Sequence, residues 1–310
     1  MSYRVLITGA LGFVGRHVIK FFNSQNLDYQ VLCTDIIESA PFDLEFQYLS
    51  ANLANPDEID CLVSEFAPTH VVHLAGLVGP GDLEKHLNAN VIHTDYLYKS
   101  VSNINPKPIV IQAGSASAYG WVKPEELPVN EDQPFRPIGT YGIAKATQDL
   151  LAELYYRKKD LPIVRARIFN LLGPGQNKNL VPMTFVHQFK EIRDGISTNI
   201  KAGNLSTTRD FVDVRDVAAA LFALMISGKP GEAYNIASEK EISIEKLINI
   251  LKQVTRLDVP VRIEYKRERL LDIMRIYADC SKMKKLTDWA PVINLKQSIT
   301  EMWKEVSNRI

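Results

Sequence analysis

The chain is short of several things, and each shortage excludes a class of protein. It has no excess of charge: 36 Lys and Arg stand against 36 Asp and Glu over 310 residues. A nucleic-acid binder's basic footprint is therefore missing. Cysteine is scarce, with Cys33, Cys61 and Cys280 the full set. An odd, sparse count is no disulfide framework and fits a reducing cytoplasm. No apolar run approaches the ~18 residues that span a bilayer. The longest candidate, Val217 to Ile226, has the length of a buried helix. The first apolar run is too short for a signal peptide, so a cytoplasmic protein is expected, with no membrane and no nucleic acid as partner. Six histidines include no His-x-x-x-His pair. His70 and His73, three apart on an expected strand, point to opposite faces, and no metal site is expected.

What is present is an ordinary globular composition, 46% apolar and 23% charged. Short β-rich runs alternate with helical patterns. Strands are expected over Arg4–Thr8, Gln30–Asp35, Gln47–Leu49, His70–Ala75, Pro108–Ala113 and Ile163–Ile168. Helices are expected over Gly12–Asn23, Asp57–Phe66, Asn88–Val101 and Tyr141–Lys158. That rhythm means crossover units, hence an α/β fold with a doubly wound parallel Rossmann sheet. It is lost after about Gly173. A Gly/Pro/Asn loop spans Gly173–Pro182, and a helix runs to about Asp194. Then come a polar Gly203–Arg209 segment, a helix from near Asp216, a strand at Ala233–Ala237, and helices at Ser243–Thr255 and Leu295–Ser307. The expected organisation is a dinucleotide-binding domain over 1–172, to which 211–238 returns, and a smaller substrate domain from 173–210 and 239–310.

Thr8-Gly9-Ala10-Leu11-Gly12-Phe13-Val14-Gly15 joins the first strand to the first helix. Gly9 permits a tight turn, Gly12 lets backbone approach a pyrophosphate, and Gly15 lets the helix pack close to the sheet. The helix start at Phe13 and Val14 offers free N–H groups to phosphate. Asp35 ends the second strand 20 residues after Gly15, where a carboxylate binds the adenosine ribose of NAD. Ile36 and Ile37 follow it, with no basic residue for a 2′-phosphate, so NAD is favoured over NADP.

Tyr141 and Lys145 stand four apart at a helix start, on one face toward one ligand. A Tyr at its reference pKa near 10 is a poor acid/base at neutral pH, and a Lys cation with an oxidised nicotinamide would lower it. Ser115 follows the fifth strand at the end where open α/β sheets bind ligands, and can hydrogen-bond a reacting oxygen.

These residues resemble the extended short-chain dehydrogenase/reductase family. The resemblance runs from Thr8–Gly15 through His73-Leu74-Ala75-Gly76, Asn90, Gly114–Gly120 and Tyr141/Lys145 to Arg209-Asp210-Phe211-Val212-Asp213. Phe169-Asn170-Leu171-Leu172-Gly173-Pro174-Gly175-Gln176, Gly203-Asn204-Leu205 and Asp279-Cys280-Ser281-Lys282 echo the GDP-4-keto-6-deoxy-mannose reductase branch. The resemblance implies that Leu74, Ala75, Gly76, Asn90 and the Asn52-Leu53 pair contact the cofactor. It implies that Ser117, Asn170, Asn179, Arg209, Arg269 and Asp272 face the nucleotide sugar. Family dehydratases carry Asp-Glu directly after the catalytic Ser/Thr, whereas Ala116 and Ser117 stand here; without that acid and base, water cannot be eliminated. The implied function is NAD(P)-dependent oxidoreduction at C4 of a nucleotide-activated sugar, GDP-linked by the branch resemblance. Tyr141 would be the acid/base, Lys145 its tuning cation and ribose contact, and Ser115 the orienting group. A 4-epimerase with tightly held NAD uses the same three residues. A cofactor-sensing binding protein on a dead fold is disfavoured, because Tyr141 and Lys145 are both present. The family's helices corresponding to Asn88–Val101 and Tyr141–Lys158, with Tyr96, Leu97, Leu150, Leu151 and Leu154, imply a homodimer.

Overall fold

Val5-Leu6-Ile7 and Val71-Val72 are apolar at every position, which suits strands covered on both faces, and all five are fully buried. The structure, a computed structural model, describes residues 3–25, 28–264 and 273–308. The first part runs β1 (Tyr3–Thr8), α1 (Phe13–Asn23), β2 (Tyr29–Asp35), β3 (Gln47–Ser50), α2 (Pro56–Phe66), β4 (His70–His73), α3 (Leu83–Leu87), α4 (His93–Ser102), β5 (Ile109–Ser115), α5 (Gly139–Lys159) and β6 (Ile163–Ile168). The second part runs β7 (Asn170–Leu172), α6 (Val181–Arg193), β8 (Ile200–Ala202), β9 (Thr208–Asp213), α7 (Val214–Ser227), β10 (Ala233–Ile236), β11 (Glu241–Ser243), α8 (Ile244–Thr255), β12 (Val261–Ile263), α9 (Ser281–Thr287) and α10 (Leu295–Ser307).

Seven strands form one parallel sheet in the order β10-β6-β5-β4-β1-β2-β3. The chain winds outward from β1 in both directions. The crevice beyond the carboxyl ends of β1 and β4 is therefore the switch point at which such sheets bind ligands. One face is covered by α1 and α7, with Val18 and Phe22 packed among Leu221 and Leu224. The other is covered by α2, α4 and α5 through Ile59, Leu97 and Tyr155. A separate core under α6, α8 and α10 holds Phe185, Phe189, Leu247, Leu251 and Met302. Beside it lie a three-stranded sheet β11-β9-β7 and the pair β12-β8. Among the described residues no helix is long and apolar enough to cross a membrane.

Two of the stretches that differ from the pattern-based expectation lie near the cavity or feed the elements around it. The helix expected from Asn88 begins at Leu83, where the Asp82 side chain accepts the Lys85 N–H. It passes through one wide turn over Asn88–Ile92 before continuing as α4. β9 begins at the end of the polar Gly203–Arg209 segment, and α7 starts at Val214 because the Asp213 carboxylate caps it by accepting the Arg215 N–H.

Candidate active site

The glycine-rich loop turns back on itself with little room. Gly9 sits at φ +65°, and a Cβ there would lie 2.6 Å from the Ala75 nitrogen. Any larger residue would push the loop off the chain leaving β4. The reason for Gly15 differs from the expected close packing on the sheet: its Cβ would lie 2.4 Å from the carbonyl oxygens of Gly9 and Ala10. The helix therefore packs on its own loop. Gly12 is the N-cap of α1 and offers no side chain to the first-turn N–H groups of the helix. Those donors, with Phe13 and Val14 at the start of the helix, are left for an anion. Asp35 stands at the end of β2. One carboxylate oxygen accepts the Leu11 N–H at 3.0 Å and the other the Ile36 N–H at 2.8 Å. Each oxygen keeps a lone pair for a ribose hydroxyl, and Ile36 beside it is exposed. This cradle fits a dinucleotide.

A cavity of about 510 Å³ opens over the carboxyl ends of β4, β5 and β6 and runs toward α6. Val14, Leu74, Ala75, Gly76 and Asn90 line one end, and Ser115, Ser117, Tyr141 and Lys145 its middle. Asn170 and Arg209 line the far end. Tyr141 reaches Ser115 because Gly142 lets the start of α5 press on the turn after β5: a Cβ at Gly142 would lie 2.8 Å from the Ser117 carbonyl oxygen. Ser115 Oγ also accepts the Ser117 N–H at 3.2 Å. The buried ring of His86 lies edge-on to Tyr141 at 5.7 Å.

The electrostatics depart from expectation at one point. Burial raises the Tyr141 phenol above its ordinary value, and the Ser115 hydrogen bond only partly opposes this. The Lys145 ammonium donates to the Ala113 carbonyl at 2.7 Å and to the Gln148 side chain. Burial pushes Lys145 down to about 7 against the opposing carboxylate of Asp149, and Asp149 is itself paired with Arg165 and Arg167.

The structure does not bring every expected residue to the cavity. Asn179 is exposed in its loop, its N–H donating to Asn177 Oδ1 at 2.9 Å, and it is not part of the lining. An Asx turn claims that segment, and Leu180, Val181 and Pro182 line the cavity instead. Asn52 Oδ1 accepts the Ala54 N–H at 2.9 Å, shaping the turn before α2, with Leu53 packed on the core. Asn90 lines the cavity but is buried, donating to the carbonyls of Leu77 and His86. Arg209 donates to the carbonyls of Thr208 and Ile273 at 2.7 and 2.6 Å while lining the cavity. Arg269 and Asp272 lie outside the described residues. Tyr96, Leu97 and Leu151, read as part of a pairing surface, pack on the core, Leu97 fully buried and Tyr96 and Leu151 partly. The residues missed by sequence reasoning are Gln148, Thr94 and His86. Gln148 could have been found from its position three after Lys145 on the same helix.

Among the described lining residues there are two cations, Lys145 and Arg209, and no carboxylate. No group of three His, Cys, Asp or Glu able to hold a metal occurs among the described residues.

A family model described as GDP-mannose 4,6 dehydratase matches residues 6–302. GDP-6-deoxy-D-mannose reductase of Pseudomonas aeruginosa is 26% identical, over 100% of this chain and 99% of its own length. The solved structure of RMD from Pseudomonas aeruginosa complexed with NADPH superposes with a TM-score of 0.87 at 25% identity, over 100% of this chain and 99% of the other. UDP-N-acetylglucosamine 4-epimerase from Methanobrevibacter ruminantium, solved with UDP-N-acetylmuramic acid, superposes at 0.86 and 25% identity, again over 100% and 99%.

Proposed function

This chain belongs to the GDP-mannose 4,6 dehydratase family, and from that membership we propose that it is an NAD(P)-dependent oxidoreductase acting at C4 of a GDP-linked sugar, a 4-keto-sugar reductase or the reverse dehydrogenase. The observation that carries this reading is the cavity lining: Ser115, Tyr141 and Lys145 share one cavity with Arg209, and no described lining residue is a carboxylate. A 4,6-dehydratase needs an acid and a base beside the catalytic hydroxyl. Ala116 is buried and Ser117 carries only a hydroxyl, so elimination has no agent here despite the family's name.

A bound nicotinamide supplies or accepts the hydride. The rest falls to side chains. Gly9, Gly12 and Gly15 with the start of α1 hold the pyrophosphate, and Asp35 the adenosine ribose, which favours NAD. The relative solved with NADPH keeps NADP in play. Ser115 donates to the C4 oxygen. Tyr141 gives that oxygen its proton; a phenol raised by burial is protonated at neutral pH, the form that ketone reduction requires. Lys145 contacts the nicotinamide ribose and stabilises the phenolate left behind. Arg209 pairs with the sugar's diphosphate through its fork of donors. A 4-epimerase remains the second reading, favoured by the epimerase fold-mate of 0.86 TM-score, since it uses the same three residues.

The chain's other properties are inferred alongside. The dinucleotide-binding unit comprises 1–172 with 211–238, and the sugar-binding unit 173–210 with 239–310. Unpaired Cys33, Cys61 and Cys280 fit the cytoplasm. The exposed side chains of Ile92, Ile143, Leu150 and Leu154 on the α4–α5 surface support a homodimer.

Tyr141→Phe tests the reading, because it keeps the ring and removes only the ionisable hydroxyl. With GDP-4-keto-6-deoxy-mannose and reduced cofactor, turnover should fall by about 10²–10⁴ while cofactor affinity stays at the wild-type value. Turnover near wild type would remove Tyr141 from the chemistry.

A further inference from the structure

Lys145 has three N–H donors. Two are spent on protein acceptors, Ala113 O and Gln148 Oε1, and Lys145 also lines the cavity, toward which the third is free to point. The Gln148 amide is itself held. Its Nε2 donates to Thr94 Oγ1 at 2.9 Å. Thr94 sends its single proton to the Asn90 carbonyl at 2.8 Å, so that hydroxyl can only accept from its other neighbours. His73 Nε2, 2.9 Å away, must therefore carry its proton and donate. His73 Nδ1 then accepts from Thr8 Oγ1 at 2.8 Å, and Thr8 in turn receives the Ala75 N–H at 3.4 Å. Gln148, Thr94, His73 and Thr8 are all buried. Reversing the Gln148 amide would set its NH₂ against the ammonium and its oxygen against a hydroxyl with no proton to give. Only one orientation satisfies the network, and a fully satisfied buried network is rigid.

We propose that Gln148 is a positioning residue for Lys145: oriented by Thr94 and His73, its carbonyl anchors the ammonium so that one N–H is presented to the nicotinamide ribose. The inference rests on the role of Lys145 proposed above. It makes the catalytic lysine part of one hydrogen-bonded chain that ends at Thr8, next to the glycine-rich loop. A neutral amide adds no charge of its own to offset the lysine's. The ionisable groups that act on that ammonium are His73 from β4 and Asp149 on its own helix, held by Arg165 and Arg167 from β6, while Tyr141 one turn earlier lines the same cavity. His73 is pushed down to about 3 by burial, with Lys145 adding to the shift, so it stays neutral. A carboxylate at 148 would be a new charge at the ammonium itself.

The test uses reduced-cofactor binding, followed by nicotinamide fluorescence from pH 6 to 9, besides turnover. Gln148→Leu and Thr94→Val should weaken cofactor binding several-fold. They should also lower kcat by about tenfold or more, as misplacement of a reacting group does, with the sugar KM within about twofold. Thr94→Ser, which keeps the hydroxyl, should restore both. Gln148→Glu keeps an acceptor for Lys145 and raises its pKa, so the loss of cofactor affinity at high pH should move upward by about 1 unit. The proposal is overturned if Thr94→Val and Gln148→Glu match wild type in affinity and in pH profile and only the melting temperature changes, for the network would then be packing alone. A wild type that binds reduced cofactor but turns over no nucleotide sugar would instead contradict the proposed function, and the binding comparison would still decide the role of Gln148.

Discussion

At the scale of single residues, burial and hydrogen bonding decide more than spacing does. Tyr141 and Lys145 were legible because i and i+4 share a helix face. Their mutual electrostatics were not, since the lysine's partners, Ala113 and Gln148, come from tertiary packing and from the helix flank. His73 was dismissed as a metal ligand and otherwise read only as part of the His73–Gly76 motif; it is a buried neutral link. This has a consequence for stability. The unfolded chain takes up a proton at His73 near pH 6.5, while the folded chain resists until about pH 3. Stability is therefore present above pH 6.5 and lost as pH falls toward 3, by on the order of 5 kcal/mol in all. The melting temperature should drop across that window, and His73→Gln should show a shallower drop. Equal slopes for the two proteins would mean that His73 is protonated in the folded state or is not buried.

At the scale of elements, the long strands and helices of the first 170 residues could be read from sequence, because buried parallel strands are continuously apolar and helices repeat at 3.6 residues. The short strands β7, β8, β11 and β12 were not, as three residues carry no period. β9 was hidden because its charged residues are held by contacts distant in sequence: Asp210 accepts from Ser238 and Ala278, and Arg209 donates to the Ile273 carbonyl. The glycine-rich turn was legible in full, although Gly15 serves the loop and not the sheet. Gly15→Ala should force α1 off the carbonyls of Gly9 and Ala10. An overpacking cost of about 1–3 kcal/mol follows, seen in the melting temperature. Cofactor binding should weaken by on the order of tenfold, equivalent to about 1.4 kcal/mol. Unchanged binding would show that the donors of the first turn do not hold the cofactor.

At the scale of the whole molecule, α4 and α5 turn one face to the core and leave Ile92, Ile143, Leu150 and Leu154 exposed, Leu150 at 61%. Positions 143, 150 and 154 recur at helical spacing on one side of α5. Sedimentation at micromolar concentration should give a dimer for the wild type and a monomer for Leu150→Glu with an unchanged fold. A monomeric wild type would leave these side chains as ordinary exposed apolar residues.

The proposed reaction also belongs to the whole molecule, since it would need the cofactor beside Val14 and Gly76 at one end of the cavity and the sugar diphosphate beside Arg209 at the other. Its most direct test counts cofactor against sugar. With a GDP-linked 4-keto sugar and reduced nicotinamide in excess, one cofactor should be oxidised for each ketone reduced, and the GDP-linked sugar should be preferred over its UDP counterpart. Inversion at C4 of a nucleotide sugar with no net change in the cofactor would contradict the account and make the protein an epimerase.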